Sequence, residues 1–127
     1  MALKREACDA HFSMAVRTRD HHTCQYCGGP GSDPAHIFGR RSKIVRWSMD
    51  NALCLCRYHH QYFESNPVAF TDFLTEHLGE EHMDRLRVKA RGTLKTTKAL
   101  RLEISKHYRE ELAKHGADPA YQMESYN

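Results

Sequence analysis

The sequence predicts an α+β fold: a zinc-stapled core of short strands and a helix, preceded by one helix and followed by several more. Three observations carry this reading. Two ligand pairs, Cys24-x-x-Cys27 and Cys56-x-x-His59, flank short β-prone runs. An amphipathic segment comes before them, and a charged, helix-prone segment follows Gly79. Residues 1–79 are therefore expected to form the core with its N-terminal helix, and residues 80–127 a helical extension. A chain of 127 residues buries only a modest core, so a structural metal would add needed stability.

From about Leu3 to Asp20, Cys8, Phe12, Ala15 and Val16 recur at helical spacing, with Glu6, Ser13 and Arg17 on the other side. The glycines and prolines from Cys24 to Pro34 suit a tight knuckle and loop. Ala35-His36-Ile37-Phe38 is short and largely apolar, as a strand would be. Ile44-Val45-Arg46-Trp47 and Ala52-Leu53-Cys54-Leu55-Cys56 read as further strands around the polar turn Ser48-Met49-Asp50-Asn51.

A helix is expected from about His59 to Glu64. Asn66-Pro67 then resembles an N-cap and first helical residue, Phe70, Phe73, Leu74 and Leu78 form an apolar stripe, and Gly79 ends that helix. Beyond it, helices are expected over 80–90 and 94–115. The second carries Leu100, Ile104, Tyr108 and Leu112 at intervals of four, a narrow stripe that could dock on the core or form a homodimer. Residues 117–127 carry no clear signal.

The net charge of +3 is compatible with a polyanionic partner without requiring one. Its distribution says more. Arg40, Arg41, Lys43 and Arg46 occur between His36 and Trp47 with no acid among them, and all formal charges from Arg85 to Arg101 are positive. The opening residues lack the apolar run of a signal peptide, and no later stretch approaches the ~18 to 20 apolar residues of a membrane span. A cytoplasmic protein is expected, with its five cysteines reduced and the closely spaced ones read as metal ligands before disulfides.

Cys24 and Cys27 can turn both sulfurs toward one tetrahedral ion, and Cys56 with His59 repeats the two-residue gap where a strand would pass into a helix. A Cys3His structural zinc site is the simplest solution. On a strand, Cys54 would share a face with Cys56 and could replace it as ligand, but its gap to His59 is longer, so it is read as a small packed thiol. Cys8, on the apolar face of the first helix, is read as core.

Interleaved with these ligands are His36 at the end of the knuckle loop, Asn51 at the start of a strand, and His60 directly after the second ligand pair. The run Asn51-Ala-Leu-Cys-Leu-Cys-Arg-Tyr-His-His resembles the HNH motif of the ββα-metal (His-Me finger) endonucleases, with His59 standing where their second cysteine usually lies. The resemblance implies a zinc-stapled ββα-metal core and a metal-dependent phosphodiester hydrolase. It implies His36 as general base, Asn51 as a group that orients His36 or touches the metal, and His60 as a ligand of the catalytic ion. Glu64, one turn beyond His60, faces the same way and could complete that site. Ala35 departs from the family, many of whose members have a metal-ligating Asp or His before the base. Mg2+ or Mn2+ is expected at the catalytic site, with zinc confined to the knuckle.

The chemistry fits this order, since phosphodiester hydrolysis needs a base for water, positive charge on the phosphate and help for the departing 3′-oxygen. The stretches from Phe12 to Asp20, Gly39-Arg40-Arg41, Val45-Arg46-Trp47 and Asn66 to Phe70 are also similar to the phage NinG (Rap) recombination nucleases. That similarity implies action on branched DNA in a bacterial host cytoplasm, although His60 replaces the asparagine associated with the group. Arg40, Arg41, Lys43 and Arg46 are then the expected DNA-phosphate contacts. The rival reading is a noncatalytic zinc module that binds DNA or a recombination protein. An RNA-binding knuckle is less favoured because Tyr26, Phe38 and Trp47 form no evident stacking platform.

Overall fold

The computed structural model describes residues 5–127. The first two residues of the helix expected from Leu3, together with Met1 and Ala2, lie outside that range. The described helix α1 spans Ala7–Arg19, and the Glu6 N–H donates to Asp9 Oδ2 at 2.7 Å across its first turn. Cys8, Phe12, Ala15 and Val16 are all buried, as their spacing predicts. Past Asp20 the chain reverses through His21 and His22, both in the left-handed region at φ 56° and 52°. Bonds from the His21 N–H to Thr18 O and from the His22 N–H to Arg17 O hold this reversal, which delivers the knuckle.

Strands β1 (Asp33–His36) and β2 (Ala52–Leu55) form an antiparallel pair in the register Asp33 with Leu55 and His36 with Ala52. Ile37 prolongs the pairing through its N–H to Asn51 O at 2.8 Å. The outer edge of β2 is covered by the end of α1. Arg19 donates to Met49 O and Ala52 O, at 2.6 and 2.7 Å, while Asp20 Oδ2 accepts from the Cys54 N–H at 2.8 Å. An otherwise unpaired edge is thereby satisfied by side chains.

The strand expected over residues 44–47 is instead a single helical turn, α2 (Lys43–Arg46), followed by a 3-10 turn over Met49–Asn51. Its β-branched residues suit a strand, but tertiary packing decides otherwise. Val45 and Trp47 are buried, and the Asn51 amide donates to Val45 O and Phe38 O, which folds the segment back on itself.

Helix α3 (Arg57–Ser65) starts two residues before the expected position, with Cys56 as its N-cap, and α4 (Pro67–Leu78) starts at the proline. The Asn66 amide donates back to Tyr62 O rather than capping α4, and Gly79, at φ 94°, ends α4. Helix α5 covers Glu80–Ala90 as predicted, while α6 covers Lys98–Ala117, shifted C-terminally from the expected 94–115.

Two buried clusters flank the hairpin. Cys8, Phe12, Val16, Trp47, Ile104 and Tyr108 form one, between α1 and α6; Ala35, Leu53, Leu55, Phe63, Leu74 and Met83 form the other, under α3, α4 and α5. All four residues of β2 are buried, so this strand is the spine between them. The stripe on α6 docks on α1, with Ile104 and Tyr108 inside the first cluster and Leu100 and Leu112 against it. It is thus occupied within the chain, and the segment beyond Gly79 completes the core rather than standing apart from it.

The terminal segment is also tied down. Glu111, itself buried, accepts from Tyr121 Oη and the Glu124 N–H, each at 2.7 Å; the Ser125 hydroxyl accepts from the Met49 N–H at 2.9 Å. Among the described residues, no helix is long and apolar enough to cross a membrane.

Candidate functional site

Cys24, Cys27, Cys56 and His59 converge, with their ligand atoms all within 4.8 Å of one another. The knuckle is closed by the Cys24 N–H to Gly29 O and the Gly31 N–H to His22 O, both 2.7 Å, with Gly28 in the left-handed region at φ 76°. Gly31 admits no side chain, since a Cβ there would lie 2.6 Å from Cys54 Sγ and 2.8 Å from the Cys24 amide nitrogen. Cys56 and His59 come from the start of α3, where His59 Nδ1 lies 3.3 Å from Cys56 Sγ and 4.0 Å from Cys24 Sγ.

Metal–sulfur bonds of about 2.3 Å in a tetrahedron imply sulfur separations near 4 Å, so this cluster could hold a metal such as zinc. Burial raises the Cys24 thiol pKa, but the backbone N–H groups of Cys27, Cys56 and Tyr26 outweigh it and bring the group down to about 6. A thiolate acceptor is what such a metal requires. Cys54 lies outside the cluster, fully buried, its thiol pushed up to about 11 by burial and by the Asp20 charge. Cys8 is core, as expected.

The remaining candidate residues are arranged around a cleft of about 760 Å³ between α1, β1 and the α3–α4 corner. His36, His60, Glu64, Arg40 and Arg41 all line it, together with Phe12, Ile37, Phe63 and Phe70. His36 Nε2 donates to Arg46 O at 3.0 Å, and its ring sits against Phe12 with centroids 5.5 Å apart. A carbonyl can only accept, so the neutral ring carries its proton on Nε2 and keeps Nδ1 as an acceptor. Burial lowers the His36 pKa, which favours the neutral form.

His60 comes to the cleft from α3. Its Nδ1 lies 2.9 Å from Asp33 Oδ2, and its Nε2 lies 3.3 Å from Glu64 Oε1. Burial raises the Asp33 pKa, but bonds from Arg57, His60 and Ser32 outweigh it and hold the carboxyl well below the usual range.

Asn51 is fully buried, and its side chain hydrogen-bonds to neither histidine. Its Oδ1 accepts from the Phe38 N–H at 2.8 Å, while its amide donates to Phe38 O and Val45 O at 2.9 and 3.1 Å. These bonds pin both ends of the loop whose Arg46 carbonyl holds His36. Arg46 does not join the expected phosphate contacts. It is 3% exposed and paired to Asp9 through Nε–Oδ1 at 3.0 Å and Nη2–Oδ2 at 2.6 Å. Lys43 is half-buried and is not part of the cleft lining.

Two acids outside the motif organise this site. Asp9 lies on the buried side of α1, where it also accepts from Trp47 Nε1 at 2.9 Å and from Arg40 Nη2 at 3.2 Å. Its spacing gives no signal of this, because Asp9 falls at helical intervals with Glu6, Ser13 and Arg17, the side expected to be polar, whereas in the fold both Asp9 and Ser13 are buried. Asp33 sits at the end of the Gly/Pro loop, and only the spacing of Arg57 and His60 on one side of a helix hints at an acidic partner for them. Asp9→Asn should cost about 3 to 5 kcal/mol, because it breaks the buried, doubly hydrogen-bonded ion pair with Arg46 by removing the acid's charge. Urea unfolding of the two proteins measures that loss.

No protein-family model matches the chain, and no curated protein or solved structure gave a match.

Proposed function

We propose that this chain is a metal-dependent DNA endonuclease of the HNH, ββα-metal type, with His36 as general base. The observation that carries this reading is the His36 ring itself. A backbone carbonyl fixes its tautomer, burial favours its neutral form, and it lines the same cleft as His60 and Glu64. A histidine packed for stability alone has no need of a second histidine and a carboxylate in the same open cleft. The order β1, β2, α3, stapled by the Cys/His cluster, supports the family reading.

In this account Nδ1 of His36 takes a proton from water as the oxygen attacks phosphorus and the bond to the 3′-oxygen breaks. The Arg46 carbonyl keeps the ring in place as charge develops on it, and Asn51 keeps that carbonyl in place. His60 Nε2 and Glu64 Oε1, 3.3 Å apart, suit two adjacent ligands of one divalent ion with bonds near 2.1 Å. When bound there, Mg2+ or Mn2+ supplies the positive charge that stabilises the phosphate and the departing oxygen. Arg40 and Arg41 line the same cleft and contact flanking phosphates without reading bases.

Incubating the protein with linear, nicked, single-stranded and four-way-junction DNA in Mg2+ or Mn2+ tests the proposal. Strand cuts that disappear with a chelator support it, and preferential cutting of the junction supports a role in processing recombination intermediates. DNA binding without cutting in either ion would instead support a noncatalytic zinc module.

The two arginines make a separate prediction. Replacing Arg40 and Arg41 together with glutamine should weaken binding about equally across unrelated sequences. It should also flatten the dependence of log affinity on log salt by roughly 0.9 for each duplex phosphate that is no longer neutralised. Fluorescence anisotropy across a salt series checks this, and an unchanged slope would move the grip to the basic segment from Arg85 to Arg101.

A further inference from the structure

We propose that Asp33 is a positioning residue that turns His60 Nε2 toward the ion site, a proposal that rests on the reading of His60 and Glu64 as the ion's ligands. Four hydrogen bonds saturate its carboxylate. Oδ1 accepts from Ser32 Oγ at 2.9 Å and Arg57 Nη2 at 3.1 Å; Oδ2 accepts from Arg57 Nε at 2.7 Å and His60 Nδ1 at 2.9 Å. Asp33 is therefore not poised as an ion ligand itself. Its backbone is paired with Leu55 in the hairpin, and the two bonds from Arg57 fix the plane of its carboxylate.

A carboxylate beside Nδ1 selects the tautomer with its proton there, so the Nε2 lone pair is left facing Glu64 Oε1. Without that acceptor the proton can settle on Nε2, the one atom from which a ligand must present a lone pair. The arrangement also ties the ion site to the zinc cluster. Arg57, His59 and His60 belong to the first turn of one helix, so His59 anchors the turn on one side and Asp33 sets the adjacent imidazole on the other.

The test reads the ring directly. Long-range 1H–15N spectra of the full-length protein at about pH 8, above the ordinary titration range of histidine, should give the Nδ1–H tautomer for His60. In Asp33→Asn the balance should move toward Nε2–H. Mn2+ binding, followed by water-proton relaxation, should weaken by about ten- to hundredfold while zinc content stays unchanged. An Nε2–H tautomer in the wild-type protein overturns the proposal without any variant, and so does wild-type Mn2+ affinity in a folded Asp33→Asn protein when His60→Ala binds Mn2+ more weakly. If His60→Ala binds Mn2+ as tightly as wild type while Asp33→Asn still shifts the tautomer, the ion lies elsewhere. In that event the reading of His60 and Glu64 fails, and the positioning of the ring by Asp33 stands.

Discussion

Stripping the metal from the Cys24, Cys27, Cys56 and His59 cluster should unfold the knuckle and release the start of α3. The four ligands come from two segments well separated in sequence, joined mainly through β2. The knuckle adds little apolar burial of its own beyond Cys24 and the Tyr26 ring, which packs edge-on against Phe63 and Phe73 at 5.0 and 5.1 Å. Structural zinc in comparable small knuckles is worth about 10 to 16 kcal/mol of apparent binding energy, far more than those contacts can replace. Elemental analysis should find one zinc per chain. Chelation, or Cys24→Ser, should lower the melting temperature sharply, whereas Cys54→Ala should retain the metal. A melting temperature unaffected by complete chelation would remove zinc from the account.

His36→Ala should abolish DNA cleavage while leaving zinc content and DNA affinity near wild type. General-base catalysis of this kind contributes about 10²- to 10⁴-fold, and His36 is no member of the Cys/His cluster, so losing its one bond to Arg46 O leaves the metal ligands in place. Burial lowers its pKa, so the active neutral base persists to more acidic pH than an ordinary histidine would. The wild-type rate should therefore rise as pH climbs through a value below the usual histidine range and then level off. The sign follows because protonation removes the base, and a lowered pKa moves that loss toward acid. Single-turnover rates across pH check both points, and the rising limb should vanish in any residual activity of His36→Ala.

Much of the fold is legible in the sequence because it rests on local signals. The apolar spacing in α1, the proline and glycine bounding α4 and the two ligand pairs are each written in a few neighbouring residues. The segment from Lys43 to Trp47 misleads because its β-branched residues fit a strand, whereas Asn51 and the burial of Val45 and Trp47 impose a helical turn. Residues 117–127 give no signal because one anchor, Glu111, looks like an ordinary surface residue of a helix and the others, Met49 and Ile44, are distant in sequence.

The site divides in the same way. His36, His60, Glu64, Arg40 and Arg41 stand out by type and order, and the fold brings them to one cleft. Arg46 misleads because a basic run does not reveal which of its members faces a buried acid. Asp9 and Asp33 escape notice for the complementary reason: each acts through a partner far along the chain, Asp9 on Arg46 and Asp33 on Arg57 and His60.

The central claim, that His36 is the base of a DNA-cutting site, is tested most directly by following supercoiled plasmid with wild-type and His36→Ala protein in parallel. Both preparations should first be matched for zinc content and DNA affinity, and each incubated with Mg2+, Mn2+ or a chelator. The account predicts nicked and linear products from the wild type with a divalent ion, none with the chelator, and none from His36→Ala on the same time scale. Cutting by His36→Ala at the wild-type rate would contradict it.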